Sequence, residues 1–147
     1  MSIIEENKEV VRRVFEEAVN TGKLELLNEL VSEQYAGANS GSQIIGPAAF
    51  IAPLRALKEG FPDLHYNLDE VIAEGDRVAV HWHWTGTHQG TYRGPGGTYP
   101  PSGKQLTNEG IALFEVKSGK LQRASVLTDR LGFLQEVGAL PKPAGSR

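Results

Sequence analysis

The side chains of this 147-residue chain best placed to do chemistry are one aspartate, one glutamate and three clustered histidines. Cysteine is absent, which removes thiolate metal sites, cysteine nucleophiles and disulfide frameworks. Asp129 stands where an alternating segment gives way to Arg130-Leu131-Gly132-Phe133-Leu134-Gln135. A carboxyl group desolvated among apolar side chains titrates nearer neutrality, where it can take a carbon-bound proton and return it elsewhere. The same position suits a helix N-cap, whose carboxylate accepts amide hydrogen bonds from the next turn. Glu115 would add a second acid if its face met Asp129; its neighbour Lys117 reads instead as the mark of a solvated, ionised group. His81 and His83 stand two apart with His88 close behind, a spacing able to present two imidazoles to one metal. No third ligand is fixed by the sequence, so solvent-facing or hydrogen-bonded histidines are the default, and no metal or other cofactor is expected.

Other catalytic patterns are missing. There is no Gly-x-Ser-x-Gly elbow to support a hydrolytic triad. The glycines between Gly90 and Lys104 are followed by neither a strand-to-helix step nor Gly-Lys-Ser/Thr, which argues against a phosphate-cradling loop.

These residues need elements to position them. Val10, Val11, Val14, Phe15, Ala18 and Val19 recur at three- and four-residue steps, which predicts an amphipathic helix from about Ile4 to Val19. Leu24, Leu27, Leu30 and Val31 repeat the pattern in a second helix closing near Ser32. Tyr35 to Gly46 reads as a loop, and Pro47 to about Glu59 as a third helix, kinked or broken at Pro53. After Asp63 the period changes to two, predicting strands at Leu64–Ile72, Arg77–His88, Lys104–Val116 and Leu121–Asp129. Gly90–Lys104 is too rich in glycine and proline for regular structure and reads as a long hairpin loop, a lid in which Tyr92 and Tyr99 are apolar contacts. Leu131–Val137 predicts a short terminal helix. Residues 1–140 form one domain and 141–147 a frayed tail.

Helices followed by antiparallel strands predict an α+β fold, with N-terminal helices packed on a curled antiparallel sheet that forms a cone around an internal pocket. Alternation puts Val78, Val80, Trp82, Trp84, Gly86 and His88 on one face of the long strand, the more apolar one, which we assign to the cavity. The two tryptophans then either wall a flat apolar ligand or simply fill the core. In the last strand Asp129 groups with Leu127, Ser125 and Arg123; in the one before it Leu113 groups with Ile111 and Glu115. Both faces are mixed in composition, so pattern alone does not choose between them.

The charge balance of 15 basic and 18 acidic residues is too mild and too scattered to attract nucleic acid or an anionic membrane. No window approaches the roughly 20 apolar residues of a membrane helix, and the acidic N-terminus lacks the features of an export signal. A soluble, cytoplasmic protein with a small hydrophobic molecule as its partner is the expectation.

Read as one run, Gly86-Thr87-His88-Gln89-Gly90, Pro100-Pro101-Ser102-Gly103-Lys104, Gly110-Ile111, Gly119-Lys120 and Asp129-Arg130-Leu131-Gly132 resembles the SnoaL-like polyketide (ester) cyclase family. Phe61-Pro62-Asp63 and Glu74-Gly75-Asp76-Arg77-Val78 add to the likeness, which covers most of the chain. The resemblance implies the nuclear-transport-factor-like cone fold shared with ketosteroid isomerases. It implies Asp129 as general acid/base for a cofactor-free aldol closure or isomerisation of a hydrophobic carbonyl compound. It also implies His88 as a pocket histidine, with His88 or Tyr35 donating to the enolate oxygen. Trp82, Trp84, Tyr35, Leu113, Ser125 and Leu127 are the expected substrate contacts, and a homodimer through the sheet follows by analogy of fold. The chain departs from the family at Arg123-Ala124-Ser125, which replaces Glu-x-Trp or His-Trp, and at Tyr35-Ala36-Gly37-Ala38, which lacks the histidine of Tyr-x-x-His. Its Gly90–Lys104 loop is also longer than usual. These departures remove polar groups that would grip a substrate, and leave a non-catalytic binding module for an apolar molecule as the alternative.

Overall fold

The computed structural model describes residues 2–37, 45–94 and 96–144. Helix α1 (Ile3–Arg12) starts where the Ser2 hydroxyl accepts the Glu5 amide at 3.2 Å, with Glu5 and Glu6 in the first turn and Arg12 in the last, as the helix dipole favours. It continues through Arg13–Val19 with the wider π winding, closed by the Asn20 amide on the Phe15 carbonyl at 2.9 Å. One predicted helix is therefore two windings. Its stripe of Val11, Val14, Phe15, Ala18 and Val19 is buried.

After a 3-10 turn at Leu24–Leu26, helix α2 lasts only from Leu27 to Leu30. The predicted second helix ends early because Val31–Gly37 is a strand, β1, in place of a helix end and a loop. Val31 pairs with Leu121 and Ala36 with Arg123, parallel, on the edge of the sheet. The expectation of a wholly antiparallel sheet is corrected at that edge. Part of the predicted Tyr35–Gly46 loop, residues 38–44, lies outside the described residues, as do residues 145–147 of the predicted tail. Helix α3 (Pro47–Gly60) is a single element despite Pro53 inside it.

Strands β2 (His65–Glu74), β3 (Arg77–Thr87), β6 (Gln105–Lys117) and β7 (Lys120–Thr128) form antiparallel neighbours, and the five-stranded order is β1-β7-β6-β3-β2. The sheet curls without closing. Between β3 and β6 the chain makes a separate small hairpin, β4 (Tyr92–Gly94) with β5 (Gly97–Tyr99), where irregular loop was predicted. Helix α4 (Arg130–Glu136) ends the fold.

The faces follow strict alternation in β3 and β6. Val78, Val80, Trp82, Trp84 and Gly86 point inward from β3; Leu106, Asn108, Gly110, Ala112, Phe114 and Val116 do so from β6. A bulge in β7, where Glu115 and Val116 of β6 oppose Arg123 and Leu121, leaves Gln122 unmatched. Beyond it Ala124 and Val126 turn inward, opposite Phe114 and Ala112. Leu113, Ser125 and Leu127 therefore occupy the outer face, Leu127 with 80% of its surface exposed. This corrects their assignment to the pocket. Glu115 also lies outside, 3.2 Å from the Lys117 ammonium, and makes no pair with Asp129.

Candidate functional site

One end of the inner face is hollow. A pocket of about 190 Å³ lies between β2, β3, β6, β7, α3, α4 and the β4–β5 hairpin, lined by Leu57, Tyr66, Trp82, Trp84, Tyr92, Asn108, Val126, Thr128, Arg130, Phe133 and Leu134. Its aromatic wall is braced by ring contacts: Tyr66 on Trp82 at 5.1 Å, Phe133 on Trp84 at 6.3 Å, and Phe133 edge-on to Tyr92 at 5.5 Å. Gly110 permits this wall. A Cβ there would run into the Trp82 indole and the Leu127 carbonyl, so only glycine lets the ring lie against β6.

Five polar side chains interrupt the apolar lining: Tyr66, Tyr92, Asn108, Thr128 and Arg130. The Tyr66 backbone is clamped by Asn20, whose Oδ1 accepts the Tyr66 amide at 2.7 Å and whose Nδ2 donates to the Tyr66 carbonyl at 2.9 Å. The Tyr66 hydroxyl itself has no hydrogen-bond partner among the described residues, and burial pushes its pKa up, so it is a neutral donor at ordinary pH. Asn108, opposite Trp84 in the ladder, turns its Oδ1 to the Glu109 amide at 2.7 Å. That leaves its NH₂ free to donate, again without a partner among the described residues. Burial and nearby Tyr99 raise the Tyr92 hydroxyl, which Arg130 pulls back down.

The sequence-predicted residues divide sharply. Trp82 and Trp84 line the pocket as expected. Asp129 does not reach it: its exposed side chain is the N-cap of α4, Oδ1 accepting the Gly132 amide at 2.9 Å. The cap holds because position 132 is glycine, since a Cβ there would collide with the carboxylate. His88 is fully buried but sits behind the wall, stacked on Phe61 at 4.9 Å. Its Nδ1 lies 3.1 Å from the Ser102 hydroxyl and its Nε2 donates to the Tyr99 carbonyl at 3.2 Å, so it fastens the β4–β5 hairpin rather than facing the pocket. Tyr35 packs edge-on against Phe50 at 5.6 Å away from the pocket lining, and burial pushes its hydroxyl up to about 12. His81 and His83 lie on the outer face, paired separately with Glu109 (3.3 Å) and Asp69 (2.8 Å). Among the described residues no cluster of three potential ligands could hold a metal ion.

Sequence reasoning missed Tyr66, Asn108, Thr128, Arg130 and Phe133. Asn108 was findable: extending the alternation Val116, Phe114, Ala112 backwards reaches it as a polar residue on an apolar face. Phe133 and Arg130 carried no such signal, because the docking of α4 is set by packing at a distance.

A second depression of about 430 Å³ lies on the outer face, around Arg77, Leu113, Glu115, Arg123 and Ser125. It is larger and no more open to solvent, but its lining is mainly charged and small side chains with no aromatic wall to hold an apolar ligand, so the inner pocket is the candidate site.

The comparisons with known proteins agree with this architecture. The family model described as SnoaL-like polyketide cyclase matches residues 9–137. A protein from Jannaschia sp. CCS1, provisionally named a SnoaL-like polyketide cyclase, is 29% identical, with 96% of this chain and 98% of that chain covered and a TM-score of 0.80. TsrD from Streptomyces laurentii is 22% identical over 95% of this chain and 100% of its own, with a TM-score of 0.82, a likeness of fold. No curated protein matches the chain. Among the described residues no helix is long and apolar enough to cross a membrane.

Proposed function

The chain belongs to the SnoaL-like polyketide cyclase family, and we propose that it acts as a cyclase- or isomerase-type protein on a flat, largely apolar carbonyl compound bound in the inner pocket. The observation that carries this reading is the pair of unpartnered donors, the Tyr66 hydroxyl and the Asn108 amide, facing an aromatic chamber. A carbonyl oxygen within reach of both would be polarised, and negative charge building there on enolisation would meet donors that are already in place and reachable from the pocket. The rings of Trp82, Trp84 and Phe133 would hold the carbon skeleton flat, so that much of the rate comes from orientation. Among the described residues no carboxylate lines the pocket, so the released carbon-bound proton passes to water rather than to Asp129.

Exchange of the acidic C1 protons of 2-tetralone in D₂O, followed by NMR, tests this. The protein should speed exchange, and Tyr66→Phe and Asn108→Ala should each remove about tenfold or more of the acceleration. The second reading, a carrier that binds without chemistry, is favoured by the engagement of Asp129 with Gly132. Binding of 2-tetralone with no faster exchange would select the carrier.

A further inference from the structure

The geometry points to an anionic group on the ligand, selected by Arg130 at the mouth of the pocket; this rests on the inner pocket being the binding site. Among the described residues Arg130 is the single charged side chain in the lining, and it forms no ion pair with any of them. Its nearest acidic neighbour in sequence, Asp129, is turned onto the Gly132 amide. The guanidinium lies close enough to Tyr92 to act on its hydroxyl. Every other polar group facing the cavity is neutral. The chain carries a net charge of −3, yet among the described residues its pocket is lined by one cation and no anion.

Placement separates the two polar ends. Tyr66 and Asn108 belong to the sheet floor, on β2 and on β6 opposite Trp84, whereas Arg130 is exposed at the start of α4. A ligand that satisfies both has a flat apolar body, a carbonyl at the inner end and a carboxylate at the outer end. Arginine suits this role because its planar fork takes a carboxylate through two parallel hydrogen bonds while its stem covers apolar surface. The substrate class is then an aromatic or enone carboxylic acid rather than its neutral ester.

Equilibrium dialysis with 2-naphthoate and methyl 2-naphthoate isolates the charge, since the ring system is the same. The wild-type protein should hold the acid about fivefold more tightly than the ester at low salt, with the preference shrinking as salt is added. Arg130→Gln should abolish the preference by weakening the acid alone, and Arg130→Lys should keep part of it. Equal or tighter binding of the ester by the wild type, or an unchanged ratio in Arg130→Gln, would overturn the assignment while leaving the pocket reading intact. Binding of neither compound would sink the pocket reading and this inference together.

Discussion

The inner face of β3 borders two different interiors. At one end Val78 and Val80 meet Phe114, Val116 and Phe15 of the π-wound segment after α1, and the space is filled. At the other end Trp82 and Trp84 meet Gly110 and Asn108, and a chamber of about 190 Å³ remains. The strand and its alternation are the same, so the difference lies in the partners. A long helix with a valine stripe covers the filled end, whereas the seven-residue α4 and a hairpin of two three-residue strands cover the hollow one, with α3 reaching it only at Leu57. Small residues on β6 take away volume that the short cover cannot restore. The hollow persists because its walls support one another ring against ring, with His88 fastening the hairpin from behind.

Truncating one phenylalanine at each end is the sharpest way to break that contrast. Phe114→Ala should cost about 3–5 kcal/mol in denaturant unfolding, because its cavity cannot collapse. Phe133→Ala, half-buried beside existing space, should cost under about 2 kcal/mol yet remove most ligand affinity. Equal destabilisation would mean that the two ends are packed alike.

Next in size is an alkaline effect. Tyr35 ionises near pH 10 when unfolded and at about 12 when folded, because burial penalises the phenolate. Its contribution is intact below pH 10 and is lost as pH rises from about 10 to 12, a loss of roughly 2 kcal/mol. Tyr66, shifted in the same direction, adds to it. Unfolding measured across this range should therefore steepen above pH 10, and Tyr66→Phe should soften the slope.

The smallest effect is at Asp129. Asp129→Asn keeps a side-chain acceptor for the Gly132 amide and should leave stability, binding and exchange activity nearly unchanged; Asp129→Ala should cost about 1 kcal/mol. Loss of activity in Asp129→Asn with binding intact would return the acid/base role to this residue.

The family likeness and the α+β cone were legible in the sequence, because turn residues and a change of period survive without coordinates. So was the inward set on β3, whose alternation is unbroken. The outer position of Leu113, Ser125 and Leu127 was not. Their strands carry apolar residues on both faces, and the β7 bulge is invisible to a period-two count. Asp129 shows the limit most plainly: its place in the sequence fits a catalyst and a cap equally, and the Gly132 contact that speaks for the cap needs coordinates to be seen. Strand β1 was lost because its partner β7 is some ninety residues away, so local pattern could not reveal the pairing.

The chain has two tryptophans, and both line the hollow end. Titrating ¹⁵N-labelled protein with methyl 2-naphthoate and watching the two indole N–H resonances therefore tests the binding site most directly. Both should move and saturate together, and Gly110→Ala should suppress the movement by forcing the Trp82 ring into the chamber. Stationary indoles, with shifts instead at Ile111, Leu113 and Leu127 on the outer face, would contradict the account.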